Sequence, residues 1–554
     1  MIRTAACALA ALHACSVAAD AQVLLTSRDG DKANDRLGAW IRGAGDVNND
    51  GRPDWIVGAP EDGNIISPGR GFARVYSGAT GAVLHTLLGV SNGDRFGTSV
   101  DQAGDVNLDG FADVVVGAPN VSSLGNNRGR VTIHSGATGA ALFTFDGAVN
   151  NDRLGTIVVG VGDVNGDGRP DVLSASRDAS GGGTQRGVVR VFSGLTGGIL
   201  HDLAGGGNGQ RLGLSAAAIG DVTGDGRADF VVSTLTAGVR VYNGSTGGIA
   251  YTVPSPSPDD LFGASVGSIG DLTGDGVRDL LVGATQDANI FNQGPGYVRI
   301  YNGATGAFVR TLPGSSVGDR FGIAVGDAGD LNGDGKPEVL VGADQFNNGG
   351  PGFVRVFDGN TGAVLHTFIG LSNNDRFGAS VAGLGNLNGT GGLEIGIAAP
   401  ERSQPFLLGG RAEIWTADFG GACATPYAFC AAANNSTGVP ALISHTGTVS
   451  ISANNFGLLC TGLPPNTSAL FYFGQTEIQQ PFGNGFRCVG GSVFRLGIQQ
   501  ASPGGTIARN LDFPTAPGAL GPGSTAKFQC WYRNPAAGGA GFNLSNGLSA
   551  TFCN

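Results

Sequence analysis

Residues Asp163–Asp171 read DVNGDGRPD. Acidic side chains stand at positions one, five and nine, an Asn at three and a Gly at six, and apolar residues follow at once from Val172. In a tight loop, alternating side chains converge on one point, and Gly168 permits the sharp turn that brings the ninth residue back. Three carboxylates this close repel one another unless a cation lies between them. Every donor is an oxygen and no His or Cys takes part, so the stretch predicts Ca2+ rather than Zn2+. The expected ligands are Asp163, Asn165, Asp167, the carbonyl of Arg169, and Asp171.

The stretch recurs, and each copy gives an expected ligand set in which the seventh position supplies its carbonyl. These sets are Asp46, Asn48, Asp50, Arg52 and Asp54; Asp105, Asn107, Asp109, Phe111 and Asp113; and Asp221, Thr223, Asp225, Arg227 and Asp229. Two more follow: Asp271, Thr273, Asp275, Val277 and Asp279; then Asp330, Asn332, Asp334, Lys336 and Glu338. A seventh copy is worn down to Asn386, Asn388, Thr390 and Glu394, which leaves about six calcium sites expected. First residues fall at 46, 105, 163, 221, 271, 330 and 386, the near-constant period of a repeat architecture. A helix–loop–helix calcium hand needs an acid at position twelve. Here that position is Val57, Val116 or Ser174, inside a strand-like run, so the loop joins β-strands. Asp-Gly and Asn-Gly are also ordinary hairpin residues, but a bare turn does not require a fixed set of three acids.

Each repeat holds four strand-like pieces. In the second copy they are Phe96–Val100, Asp113–Pro119, Arg130–Ser135 and Ala141–Phe145. Short strands, frequent turn signals and a long period describe a propeller blade. Phe-Gly or Leu-Gly pairs begin at Leu37, Phe96, Leu154, Leu212, Phe262, Phe321 and Phe377, which predicts seven blades. The last repeat stops after Arg411–Thr416, while Val23–Thr26 matches the fourth-strand pattern Val83–Thr86. The N-terminal strand is therefore expected to complete the seventh blade and remove the edges of an open array.

The Phe96-Gly97 and Gly117-Ala118-Pro119 landmarks, with Gly58-Ala59-Pro60 and the acidic loop between them, resemble the FG-GAP repeats of the integrin α-subunit propeller across about residues 22–418. The resemblance implies a seven-bladed, all-β propeller with calcium in its rim loops and partner binding on the opposite face. Ser174-Ala175-Ser176 and Ser233-Thr234 depart from the Gly-Ala-Pro pattern, so blades three and four are looser matches. With no inserted von Willebrand-type domain and no membrane span, an integrin subunit itself is not expected.

Glycine makes up 100 of 554 residues, hydrophobic residues 41% and charged residues 14%, a turn-dense β chain rather than a disordered one. A net charge of −11 with no basic stripe argues against nucleic acid and against anionic membrane surfaces. Six calcium ions would bring that charge to about +1. Residues 1–21 read as an export signal, with Arg3, an apolar Ala5–Ala18 core and Ala19-Asp-Ala21 before Gln22. Leu12-His-Ala-Cys15 gives a rival reading, a lipid tether at Cys15. No later apolar run reaches span length. A secreted or cell-surface protein with an extracellular protein or glycan partner is expected.

Residues 419–554 lose the period and carry Cys423, Cys430, Cys460, Cys488, Cys530 and Cys553. An even count in an exported module predicts three disulfides on a small β-sandwich. Pairing of neighbours would give Cys423–Cys430, Cys460–Cys488 and Cys530–Cys553.

His85, His201 and His366 share one fourth-strand slot, the mark of an architectural residue, and His134 and His445 have no visible acid–base partner. The recurring Asp94-Arg95, Asp152-Arg153, Asp319-Arg320 and Asp375-Arg376 read as ion pairs pinning neighbouring blades. No GxSxG, HExxH or phosphate loop is present. The expected function is a non-enzymatic binding or adhesion scaffold. The alternatives are a polysaccharide-acting propeller enzyme and a lectin-like glycan binder, for which Trp40, Trp415 and Trp531 would be the aromatic platforms.

Overall fold

A computed structural model describes residues 23–552, except 63–67, 180–183, 258, 288–292, 390–391, 418–425, 448, 450–453, 514–519 and 521–524. The expected export signal, Cys15, Thr390, Cys423 and Cys553 lie outside the described residues. Residues 22–417 form one compact unit and 418–554 belong to another.

The first unit contains seven four-stranded antiparallel sheets. Blade one shows the plan: Trp40–Gly45, Asp54–Ala59, Phe72–Tyr76 and Val83–Leu88, in that spatial order. The first strand of each blade packs on that of the next, and the first strands of blades one and seven meet, so the ring closes. The second strand, such as Asp113–Ala118, is buried along its whole length. That explains its unbroken apolar run, because both of its faces are covered. The core lies in layers between blades. One layer joins Val100, Val114 and Val116 of blade two to Ile56 and Val75 of blade one, and another joins Leu37, Ile41 and Trp55 to Leu384 and Ile414.

The glycine landmarks have a steric cause. A Cβ on Gly58 would lie 2.0 Å from the Gly97 carbonyl oxygen, and one on Gly117 would lie 2.1 Å from that of Gly155. The two landmarks are thus the two sides of one close backbone approach between adjacent blades. In blade four Ser233 takes the glycine slot and donates its hydroxyl to the Gly263 carbonyl at 2.7 Å, which is why that repeat departs from the pattern yet keeps the contact.

Ring closure is by the N-terminal strand. Leu24–Asp29 pairs antiparallel with Arg411–Thr416, and the order of the seventh sheet is N-terminal strand, third, second, first. The Arg411 guanidinium donates to both Asp29 oxygens, at 2.7 and 3.1 Å. Arg130 and Asp146 make the same fork between the third and fourth strands of blade two.

The second unit places a five-stranded sheet (Tyr427–Phe429, Phe542–Thr551, Thr525–Arg533, Ser468–Gly474, Phe494–Gln500) and a three-stranded sheet (Leu442–Thr446, Gly457–Thr461, Ile507–Asn510) around one apolar core. The expected cysteine pairing is corrected here. Cys430 bonds to Cys488 across 58 residues, which overturns Cys423–Cys430 and Cys460–Cys488. The reason is strand order: Tyr427–Phe429 pairs with Phe542–Thr551, and Gly485–Gly490 packs on that same strand, so distant segments meet. Cys460 and Cys530 are buried free thiols, which also departs from Cys530–Cys553.

Candidate metal loops and channel mouth

Each acidic loop links the first and second strands of its blade. In the first copy the Asp50 and Gly51 N–H groups donate to the two Asp46 oxygens at 3.0 and 2.8 Å, and the Arg52 N–H donates to Asp50 Oδ1 at 3.0 Å. Asp105, Asp163, Asp221, Asp271 and Asp330 hold their loops in the same way. Positions one and five are open to solvent or half-buried, whereas the ninth residue is fully buried in every copy.

That ninth residue does work the sequence did not reveal. Asp54 Oδ2 accepts the Val47 N–H inside its own loop, and Oδ1 accepts the Gly78 N–H of the turn between strands three and four, both at 2.8 Å. Asp113, Asp171, Asp229 and Asp279 repeat the staple. Burial pushes the carboxyls of Asp54, Asp113 and Asp171 up to about 6, against the amides that pull them down, with the nearby loop acids adding to the rise. Burial and the Asp330 and Asp334 charges push Glu338 up to about 8.

In the sixth loop Asp330, Asp334 and Glu338 each bring one oxygen within 4.8 Å of the others, the one such triple among the described residues. In the other five the ninth carboxylate is turned to its amides, while positions one, three and five remain together. Asn165, for example, receives the Asp167 N–H at 2.8 Å and donates to Asp167 Oδ2 at 2.9 Å. The donor set is all oxygen throughout, which fits a hard divalent cation. The degenerate seventh loop, whose sequence lacks acids at one and five, keeps the shape: Glu394 accepts the Leu387 N–H and Asn386 accepts the Gly389 N–H, both at 2.7 Å.

Position seven also has a role beyond its carbonyl. Arg169 donates to the Val106 carbonyl at 2.7 Å and Lys336 Nζ to the Asp271 carbonyl at 2.9 Å, each reaching the loop of the preceding blade. Arg52 reaches the Asn388 carbonyl in the same manner and so ties blade one to blade seven. His85 and His201 contact the turn carbonyls of Gly136 and Gly244 in the next blade, an architectural use.

The Asp-Arg dipeptides part company. Asp94 accepts the Ser91 N–H of its own turn at 2.8 Å. The arginines instead join acids that follow the second strands. Arg36 and Arg95 share Asp62; Arg36 and Arg376 share Glu401; Arg376 and Arg320 share Asp344; and Arg320 also reaches Asp287. Arg153, Arg177 and Arg211 gather on Asp178. The arginines do pin neighbouring blades, with partners that sequence adjacency hid. This belt borders a cavity of about 420 Å³ lined by residues of all seven blades, the mouth of the central channel. Trp40 lies there with the Arg42 guanidinium 5.0 Å from its ring centroid, while Trp415 and Trp531 pack on Phe368 and Phe542.

The FG-GAP repeat profile matches residues 96–134 and 324–365, and the FG-GAP-like repeat profile matches 163–232 and 271–341. The chain carries FG-GAP repeats. The FG-GAP propeller is similar to phosphatidylinositol-glycan-specific phospholipase D of Bos taurus, at 31% identity over 28% of this chain and 20% of that protein. It is similar to integrin alpha-5 of Xenopus laevis, at 30% identity over 34% of this chain and 19% of the relative. Integrin alpha-4 of Xenopus laevis shares 31% identity over 27% of this chain and 15% of the relative. The chain thus spans about a fifth or less of the length of these curated relatives. No helix among the described residues is long and apolar enough to cross a membrane.

Proposed function

We propose that this FG-GAP propeller is an extracytoplasmic binding scaffold whose acidic loops each hold one Ca2+. The carrying observation is the same all-oxygen loop in six copies, each with a buried ninth carboxylate, which in five of them is fastened to the neighbouring turn. Calcium at positions one, three and five, with the carbonyl of seven, would offset the repulsion among the loop acids. The chain's own groups do the positioning: Asp46 and its equivalents orient the loop amides, and Arg169 and Lys336 brace one loop on the next. The product is a stiff rim carrying surfaces for a protein or glycan partner outside the cytoplasm.

Metal analysis by mass spectrometry on protein purified in calcium should return about six ions per chain, falling toward zero after chelation and gel filtration. A calcium content near zero before chelation would sink the proposal.

A further inference from the structure

The pseudo-sevenfold belt supplies its own control. Asp62, Asp344 and Glu401 each receive two guanidiniums, with contacts at or below 3.4 Å. Asp178 faces three, those of Arg153, Arg177 and Arg211, at 3.7, 3.8 and 3.6 Å, none within hydrogen-bond reach. The remaining belt balances four arginines (Arg36, Arg95, Arg320 and Arg376) against four acids, so the surplus of two positive charges sits at this one station. A surplus of this sign in a chain of net charge −11 marks a place that attracts anions.

The adjoining wall has a different character. Arg177 lines the channel mouth, and so do Ile157, Leu214, Ala216, Val266 and Ile323. A cationic station therefore stands beside an apolar wall in a cavity of about 420 Å³, within the usual size for a small organic ligand. Guanidinium forks suit a planar carboxylate, which accepts two parallel N–H bonds.

We propose that the channel mouth binds a small organic carboxylate, its charged end at Arg177, beside the Arg153 and Arg211 that share Asp178, and its apolar body along Ile157 and Leu214. The site deepens the binding-scaffold reading and rests on it for purpose, though not on calcium. The test is calorimetric titration of the calcium-loaded full chain with 3-phenylpropionate and, separately, with its neutral amide. The acid should bind at least about tenfold more tightly than the amide. Arg177→Gln should weaken the acid at least about fivefold while leaving the melting midpoint and calcium content unchanged. Equal binding of acid and amide, or an unaffected Arg177→Gln variant, overturns the site. Inorganic sulfate binding as tightly as phenylpropionate overturns its apolar half. Failure with a full calcium load sinks this site alone; the metal analysis tests the scaffold separately.

A second observation lies in the C-terminal module. Cys460 is on Gly457–Thr461 of the three-stranded sheet and Cys530 on Thr525–Arg533 of the five-stranded sheet, both fully buried in the core that the sheets share. Burial, with the Cys460 side chain beside it, holds the Cys530 thiol well above its ordinary range. The Cys430–Cys488 bond places one oxidised pair in the same module.

We infer that Cys460 and Cys530 become a disulfide joining the two sheets. Two S–H bonds break and one S–S bond forms; two protons go to solvent, and two electrons reduce an incoming disulfide oxidant to its dithiol. The test is peptide mapping of the secreted full chain after alkylation in denaturant without reductant. A linked Cys460–Cys530 peptide pair is expected. Alkylation of both residues, or a Cys530–Cys553 link, overturns the inference. The Cys460→Ser/Cys530→Ser double variant should lower the module's melting midpoint by about 5–10 °C.

Discussion

Chelating calcium is expected to lower the melting midpoint of the propeller by about 10 °C. An ion held tenfold above its dissociation constant adds about 1.4 kcal/mol to the folded state, and six such sites add about 8 kcal/mol. Unfolding a propeller of this length carries an entropy of about 0.8 kcal/mol/K, which converts that loss to about 10 °C. The loops are suited to such a dependence, because acids at positions one and five face one another with only backbone amides between them. Scanning calorimetry in 2 mM calcium and in excess chelator reads the effect. An unchanged midpoint would remove calcium from the account of stability and leave the loops as amide-capped turns.

Removal of residues 22–29 should be more damaging than its length suggests. Those residues supply the outer strand of blade seven, so their loss strips Arg411–Thr416 of its partner and Arg411 of its Asp29 fork. The exposed edge is a template for association. The first and last blades also lose the strand that crosses the join, where Arg28 reaches the Gly81 carbonyl of blade one at 2.6 Å. A midpoint lower by about 10 °C, or loss of a single cooperative transition with aggregation, is the expected outcome. The milder Asp29→Asn change should cost about 1 kcal/mol, since the pair is partly open to solvent. A truncated chain that melts like the full one would show that closure by this strand carries little of the stability.

Blade number, blade order and closure were legible because one landmark recurs at every repeat and each recurrence has a local steric cause, as at Gly58 and Gly97. The role of the ninth loop acid was legible only in part. Its spacing marks it as an oxygen donor, but nothing local shows that Gly78, a turn away across the hairpin, is waiting for it. The arginine partners were hidden for a similar reason: Arg95 finds Asp62, 33 residues earlier, rather than the adjacent Asp94. The cysteines failed by the same logic, since strand order, not nearness in the chain, brings Cys430 to Cys488.

The belt at the channel mouth is not continuous. It runs unbroken through blades five, six, seven, one and two, and separately joins three to four, because Val121 and Leu261 stand where an acid and an arginine would have bridged the gaps. At that rim the hoop is two arcs with two seams, and amide exchange should be fastest there. A ligand lodged at Arg177 would sit on the short arc, where a small push shifts two sectors together rather than one.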